Sequence, residues 1–358
     1  MTNMRTAVGL MSGTSMDGID AAILFSDGRG QTREGPALSM PYERALKARL
    51  RAVVGGRGEV AMVAEALTRA HADVVLKLLD ENNITIDEID IIGFHGHTIM
   101  HQPDVRKTWQ IGDGALLAAL TGIDVVDDFR TADVALGGQG APLAPLYHGA
   151  LAVALPKPLA VLNTGGVANV TWIGRDDQIL AFDTGPGNAL IDDWVRRCGK
   201  GDMDRDGLLA CAGQVDQGAL AVLLANGYFD LTPPKSLDRD DFAVPEVPGW
   251  SVETGAATLT AFTAQAVALA ARHLPEAPGQ WLVCGGGRQN PALMSALAAA
   301  LKVPVMPVET VGWRGDFLEA EAFAYLAIRH MDGLPLSLPG TTGVPYPLPG
   351  GRLNHHAA

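Results

Sequence analysis

Two stretches of this chain share one pattern. Residues 6–25, TAVGLMSGTSMDGIDAAILF, and residues 158–174, PLAVLNTGGVANVTWIG, each run apolar, then small and polar, then apolar again. Short apolar runs flanking a Gly-rich turn read as a β-hairpin, since a helix would not tolerate the glycines. One polar-tipped hairpin is an ordinary surface feature. Two, one in each half, restrict the chain to an architecture used twice.

The flanking pattern supports that reading. After the first hairpin, residues 43–54 and 60–82 predict helices. IDIIGFHG predicts a strand, DGALLAALTG a helix and DVVDDF a short strand. In the helix over 60–82, Val63, Leu67, His71, Val74 and Leu78 share one apolar face, where His71 reads as a buried structural histidine. After the second hairpin come the strand of QILAFDTGPGN, the helix of NALIDDWVRRCG and the long helix TGAATLTAFTAQAVALAARHL. QWLVCGGGRQNPALMSALAAAL reads strand, turn, helix, and FLEAEAFAYLAIRHM is the last helix. Strands interleaved with helices predict an α/β protein. Two such halves are expected to face each other across a cleft, a common place for ligands. The lobes are expected at 1–130, with the segment near 335–358 available to complete the first, and at 131–334.

Composition narrows the functions. The chain of 358 residues is 47% hydrophobic, enough for more than one core. It carries 27 Lys plus Arg against 40 Asp plus Glu, a net −13, with no basic block. Nucleic acid and anionic membrane surfaces are therefore not expected as partners, because both need a positive footprint. Three scattered cysteines fit a reducing compartment. No signal-like apolar run opens the sequence, and no apolar stretch reaches spanning length unbroken. A soluble cytoplasmic protein acting on a small molecule is the expectation.

Four turns are candidates for chemistry. The first, Gly13-Thr14-Ser15-Met16-Asp17-Gly18-Ile19-Asp20, resembles a phosphate loop without its lysine. Backbone N–H groups and hydroxyls can still converge on an oxyanion there. A carboxylate would repel phosphate unless a divalent cation lay between, which makes Asp17 and Asp20 candidates for Mg²⁺ contact through water. An ordinary Gly/Asp turn is the plain alternative. The second tip, Thr164 to Asn169, includes Gly165 and Gly166 and has the same look, so the pair suggests two lips on one polyphosphate. The third, FDTGPGN, sets Asp183 at a strand end before Gly185, Gly187 and Asn188. That aspartate could be a general base beside a helix N-terminus, or only a cap. The fourth, Gly285-Gly286-Gly287 with Asn290, leaves room for a flat ring such as adenosine, or is a tight turn.

Two other clusters read as decoys. His95, His97 and His101 in HGHTIMH lack a further ligand to complete a zinc site, so polar ligand contacts suit them better. DMDRDG starts like a calcium loop, but its twelfth position is Gly213 where a glutamate is needed.

Together GLMSGTSMDGIDAA, GFHGHTIMHQP, DFRTADVALGGQGAPLAP, NTGGVANVT, FDTGPGNALIDDW, CGGGRQNPAL and EAEAFAYLA resemble the anhydro-N-acetylmuramic acid kinase family, from about Gly9 to GTTGVP. That family lies within the actin, sugar-kinase and heat-shock-chaperone superfamily. The resemblance implies two duplicated ribonuclease-H-like lobes with ATP in the cleft between them, and a homodimer. It implies hydrolysis of the internal bond of 1,6-anhydro-N-acetylmuramic acid with phosphorylation of the freed 6-oxygen, in peptidoglycan recycling. By this resemblance the Gly-rich turns hold ATP, and Asp183 is the general base that activates water. His95, His97 and Thr98 line the sugar pocket. His97 departs from the family's usual Gln, which leaves its role open. Arg130 is a partner for the lactyl carboxylate, or is paired with Asp127 or Asp128. Glu319 orients sugar or water, or is a solvated helix-face carboxylate. Two other readings compete: a simple hexose kinase, in which Asp183 deprotonates a sugar hydroxyl, and a non-enzymatic ATP-driven module.

Overall fold

The structure is a computed structural model that describes residues 4–13 and 16–356. Thr14 and Ser15 of the first turn lie outside the described residues. The chain divides into two compact units, Met1–Ala154 with Phe317–Ala358, and Leu155–Asp316.

The first unit is built on a six-stranded sheet in the order β13-β7-β4-β1-β2-β3. Its strands are β1 (Arg5–Met11), β2 (Gly18–Ser26), β3 (Thr32–Pro41), β4 (Ile91–Phe94), β7 (Val125–Asp127) and β13 (Arg352–Asn354). A separate hairpin joins β5 (His97–Gln102) and β6 (Lys107–Ile111). β1 and β2 pair antiparallel from Arg5↔Ser26 to Met11↔Asp20, β3 lies antiparallel to β2, and β4 and β7 follow parallel to β1. Parallel neighbours need crossovers. The helix Val60–Glu81 lies on the way from β3 to β4, and Gly114–Thr121 on the way from β4 to β7. The apolar face of Val60–Glu81 buries Val63, Leu67, Val74 and Leu78 in one core with Val8, Leu10, Ile23 and Ile92. His71 is on that face, fully buried, its Nδ1 on the Leu67 carbonyl at 2.8 Å.

The second unit repeats the plan. Its sheet runs β10-β9-β8-β11-β12, with β8 (Leu159–Thr164), β9 (Val167–Ile173), β10 (Ile179–Pro186), β11 (Trp281–Cys284) and β12 (Val305–Pro307). Again the first three strands are antiparallel and the last two parallel to the first. Both units therefore have the ribonuclease-H-like order 3-2-1-4-5, the duplicated α/β fold that the resemblance implies. The helix Val252–Ala270, with the turn to His273, is long and apolar enough to cross a membrane. However, 67% of its apolar window is buried, as befits a core helix of this unit.

The boundaries differ from the expected 1–130 and 131–334, and helix packing explains why. The helix Leu318–Met331 packs against β1, β2 and β4 of the first unit, burying Leu318, Ala320 and Tyr325 to Ile328. Its backbone touches the sheet: a Cβ on Gly9 would lie 1.8 Å from the Ala320 carbonyl oxygen, and one on Gly93 2.1 Å from that of Phe323. The helix Pro145–Leu151 joins the same layer, where the Tyr147 hydroxyl donates to Glu321 Oε2 at 2.8 Å. β13 then pairs with β7.

β3 was not legible from sequence. Its TREGPALSMP breaks alternation with Gly35 and Pro36, and the register jumps there from Leu24↔Glu34 to Ala22↔Ala37. An edge strand tolerates such a bulge.

Gly93→Val should cost at least about 3 kcal/mol, the upper end of overpacking penalties, because its steric conflict is with backbone. Urea unfolding of the variant measures this, and a loss below about 1 kcal/mol would mean that the helix can move away.

Candidate active site

In the second unit three of the four turns meet. The β8–β9 tip and the exit of β10 are joined by backbone hydrogen bonds: Gly187 N–H to Gly166 O at 2.9 Å, Asn188 N–H to Gly165 O at 2.7 Å and Ala189 N–H to Gly166 O at 3.2 Å. The Asn188 side-chain amide donates to Thr164 O at 2.8 Å. The fourth turn, after β11, closes on the same place, where Thr164 Oγ1 donates to Cys284 O at 3.0 Å. Glycine is required at these contacts. A Cβ on Gly187 would lie 2.2 Å from Gly165 O, one on Gly285 2.3 Å from Asn163 Oδ1, and one on Gly287 2.5 Å from Thr164 Oγ1.

Two glycines differ. A Cβ on Gly165 would meet nothing nearer than 3.5 Å, and one on Gly286 nothing nearer than 3.9 Å. Their backbone borders open space that a ligand can approach, which suits a nucleotide cradle. The helix Ala189–Arg197 contributes differently from expectation. The amides of Gly187, Asn188 and Ala189 are already bound to the hairpin tip, so its start ties two turns together. Asn290 Oδ1 accepts from Leu293 N–H at 3.1 Å and caps the helix Pro291–Leu301.

Asp183 sits where β10 slips register against β9, between Asp183↔Asn169 and Gly185↔Ala168. Gly185 has φ +149°, a conformation suited to glycine. The bulge begins directly after Asp183, so β10 bends at the aspartate. It is 5% exposed, and its Oδ2 accepts from Leu237 N–H at 2.8 Å. A buried carboxylate oriented by a fixed N–H is suited to act as a general base. The segment that supplies Leu237 escaped the sequence reading. Its only signal was a lone lysine behind two prolines in PPKSL.

In the first unit the opening turn is bracketed by a buried polar chain. The Tyr42 hydroxyl donates to Ser12 Oγ at 2.6 Å, and Ser12 Oγ lies 2.9 Å from His97 Nδ1. Tyr42 N–H also donates to Asp17 O at 3.1 Å, so one residue holds both sides of the turn. Ser12 Oγ thus stands between Tyr42 and His97 in one buried polar chain. His97 is fully buried, pointing into the unit rather than lining an open surface. Met16 takes a left-handed φ of +56° and donates its N–H to Gly13 O, while Ile19 is a core residue. At Gly18 a Cβ would lie 2.3 Å from Met40 O.

The acidic residues of this turn form no metal cage. Asp17 is exposed and pairs with Lys47 at 3.2 Å, and Asp20 faces Met11 in the ladder. Among the described residues no group of three His, Cys, Asp or Glu could hold a metal ion. Mg²⁺ usually keeps waters and substrate phosphates as ligands, so one or two such carboxylates are compatible with it.

Arg130 Nε donates to His95 Nε2 at 3.1 Å, and Nη1 donates to Gly140 O at 2.6 Å. Asp127 instead pairs with Arg352 through two bonds of 2.8 and 3.0 Å. Thr98 Oγ1 accepts from Gln110, and Glu319 stands exposed in the first turn of Leu318–Met331.

Two units with this strand order and a polar-tipped hairpin in each define the class, the duplicated fold of actin-like ATPases and sugar kinases. Component A of the (R)-2-hydroxyglutaryl-CoA dehydratase of Acidaminococcus fermentans shares the fold, with a TM-score of 0.50 at 12% identity over 91% of this chain and 98% of that one. The family model of anhydro-N-acetylmuramic acid kinase matches residues 5–351. A relative of that name from Paramagnetospirillum magneticum is 56% identical over 98% of this chain and 99% of its own length. One from Rhodospirillum rubrum is 57% identical over 96% and 93%. The chain belongs to the anhydro-N-acetylmuramic acid kinase family.

Burial lowers the imidazoles of His71, His97, His101 and His148 from 6.5 to about 4, and it pushes His95 well down with help from the Arg130 charge. Between those values the unfolded chain binds protons that the folded one excludes. The stability these groups contribute is therefore complete above pH 6.5 and is lost as pH falls toward 4. The urea midpoint should fall from pH 7 to 4.5, with the His71 and His97 resonances still neutral at pH 5.5. Titration of either with a midpoint near 6.5 would contradict the burial.

Proposed function

We propose that the protein is an ATP-dependent kinase that opens 1,6-anhydro-N-acetylmuramic acid hydrolytically and phosphorylates its 6-oxygen. The product would be N-acetylmuramic acid 6-phosphate, in cytoplasmic peptidoglycan recycling. The observation that carries this reading is Asp183: a buried carboxylate, oriented by the Leu237 N–H, at a bulge among the Gly-rich turns of the second unit, in a chain of this family.

Asp183 would take a proton from water as the water oxygen attacks the anomeric carbon. The bond from that carbon to O6 breaks, and O6 takes its electron pair to the γ-phosphorus of ATP, releasing ADP. The phosphoryl acceptor thus absorbs the charge that makes an alkoxide a poor leaving group. The turns at 13–20, 164–169, 185–188 and 285–290 would hold ATP, with Gly165 and Gly286 giving its closest approach. Mg²⁺ would supply charge neutralisation at the phosphates, linked through water to Asp17 and Asp20. Arg130, oriented by His95 and Gly140, would grip the lactyl carboxylate. His95, Thr98 and Glu319 would contact the sugar. His97, being buried, would act through Ser12.

The test is turnover in ¹⁸O-water with ATP and Mg²⁺, offering the anhydro sugar and ordinary amino sugars side by side. The expected product is a phosphorylated sugar with label on the anomeric hydroxyl. Turnover of ordinary sugars alone would instead indicate a simple hexose kinase, and ATP consumption indifferent to sugar a non-kinase module. Asp183→Asn should retain ATP affinity within about twofold while lowering turnover by at least about 10³. A variant working at a near-normal rate would remove Asp183 from the chemistry.

A further inference from the structure

Around Asp183 the second unit contains a closed ring of hydrogen bonds. Asp183 N–H donates to Lys235 O at 3.0 Å. Lys235 Nζ donates to Tyr228 O at 2.9 Å. The Tyr228 hydroxyl donates back to Asp183 O at 2.6 Å. Each residue gives one bond to the next and receives one, and two of the three donors are side chains. The ring lies at Asp183↔Asn169, the last pair before the register shift in β10, and it takes both the N–H and the C=O of Asp183. Just beyond Lys235, Leu237 N–H holds the carboxylate itself.

We propose that Lys235 and Tyr228 are positioning residues for Asp183, holding its peptide unit so that the carboxylate keeps one orientation at the bulge. The lysine is 6% exposed, unusual for a residue type that normally reaches water. Its ammonium also lies over the Tyr228 ring, 4.4 Å from the centroid, and 5.9 Å from that of Phe182, the neighbour of Asp183. Burial lowers its pKa to about 8 against the opposing pull of Asp230, so it remains a cation at neutral pH. Tyr228 is also packed in a ring cluster with Phe229 and Phe242, which anchors the ring of bonds to the apolar core of the unit. Neither residue needs to touch substrate. Their contribution is geometric, and catalysis is sensitive to small displacements of a base.

This proposal rests on Asp183 being the base, and two readouts separate the questions. The first is amide exchange by mass spectrometry over residues 180–187, which needs no turnover. Tyr228→Phe and Lys235→Met should each speed exchange there at least tenfold while the thermal midpoint moves little, and Lys235→Arg, which keeps a donor and a cation, should restore protection. The second is kinetics with the anhydro sugar and ATP. Both variants should lower kcat about tenfold or more with KM for ATP within twofold. The double variant should be no worse than the poorer single one, because a ring is broken only once. Lys235→Arg should recover to within about threefold. Failure of the wild-type enzyme to turn over the anhydro sugar would refute the substrate reading, and the exchange data would still decide the ring. Unchanged exchange in both variants, or parallel losses in kcat, ATP affinity and thermal midpoint, would overturn the positioning role.

Discussion

Backbone-to-backbone contact at glycine is the constraint on which the structure depends. In the first unit the helix Leu318–Met331 lies against β1 and β4 because Gly9 and Gly93 present no Cβ. In the second, the β8–β9 tip meets the exit of β10 at Gly187, and the turn after β11 meets Thr164 at Gly285 and Gly287. At Gly165 and Gly286, in the same cluster of turns, the missing side chain instead leaves space. The glycines thus do two jobs. Gly9, Gly93, Gly187, Gly285 and Gly287 bring pieces of the protein together, and Gly165 and Gly286 leave an approach open.

Polar side chains then fix what the glycines bring close. Tyr42, Ser12 and His97 form one buried polar chain that ties the opening turn to β5. In His95 the tautomer is set, since Arg130 donates to its Nε2 and its Nδ1 proton is left for the Gly96 carbonyl. Two histidines two residues apart are therefore held by different neighbours. Around Asp183 the same logic uses Lys235 and Tyr228. In each case burial makes an unmet donor costly, so the network has few alternatives.

The repeated hairpins, the helix faces and the Gly-rich exits were legible because hydrophobic period and turn chemistry are local. Val60–Glu81 and Leu318–Met331 fall within two residues of the spans read from the sequence. β3 was not legible because its bulge hides the alternation, and β13 because three residues carry no period. Asp183 stood out as a carboxylate at a strand end before glycines. Lys235 and Tyr228 did not, since nothing in PPKSL or GYFD says that they meet.

The sequence by itself determined an α/β chain with two polar-tipped hairpins, the turns that could bind phosphate and the aspartate that could act as base. Those follow from residue chemistry within a few positions. The tertiary structure decided which unit the last helix joins, which amides at Ala189–Arg197 are spent on Gly165 and Gly166, and that His97 faces inward. It also closed the ring around Asp183. Those outcomes depend on contacts between distant segments, where burial and the absence of a Cβ choose one partner among many that the local sequence allows.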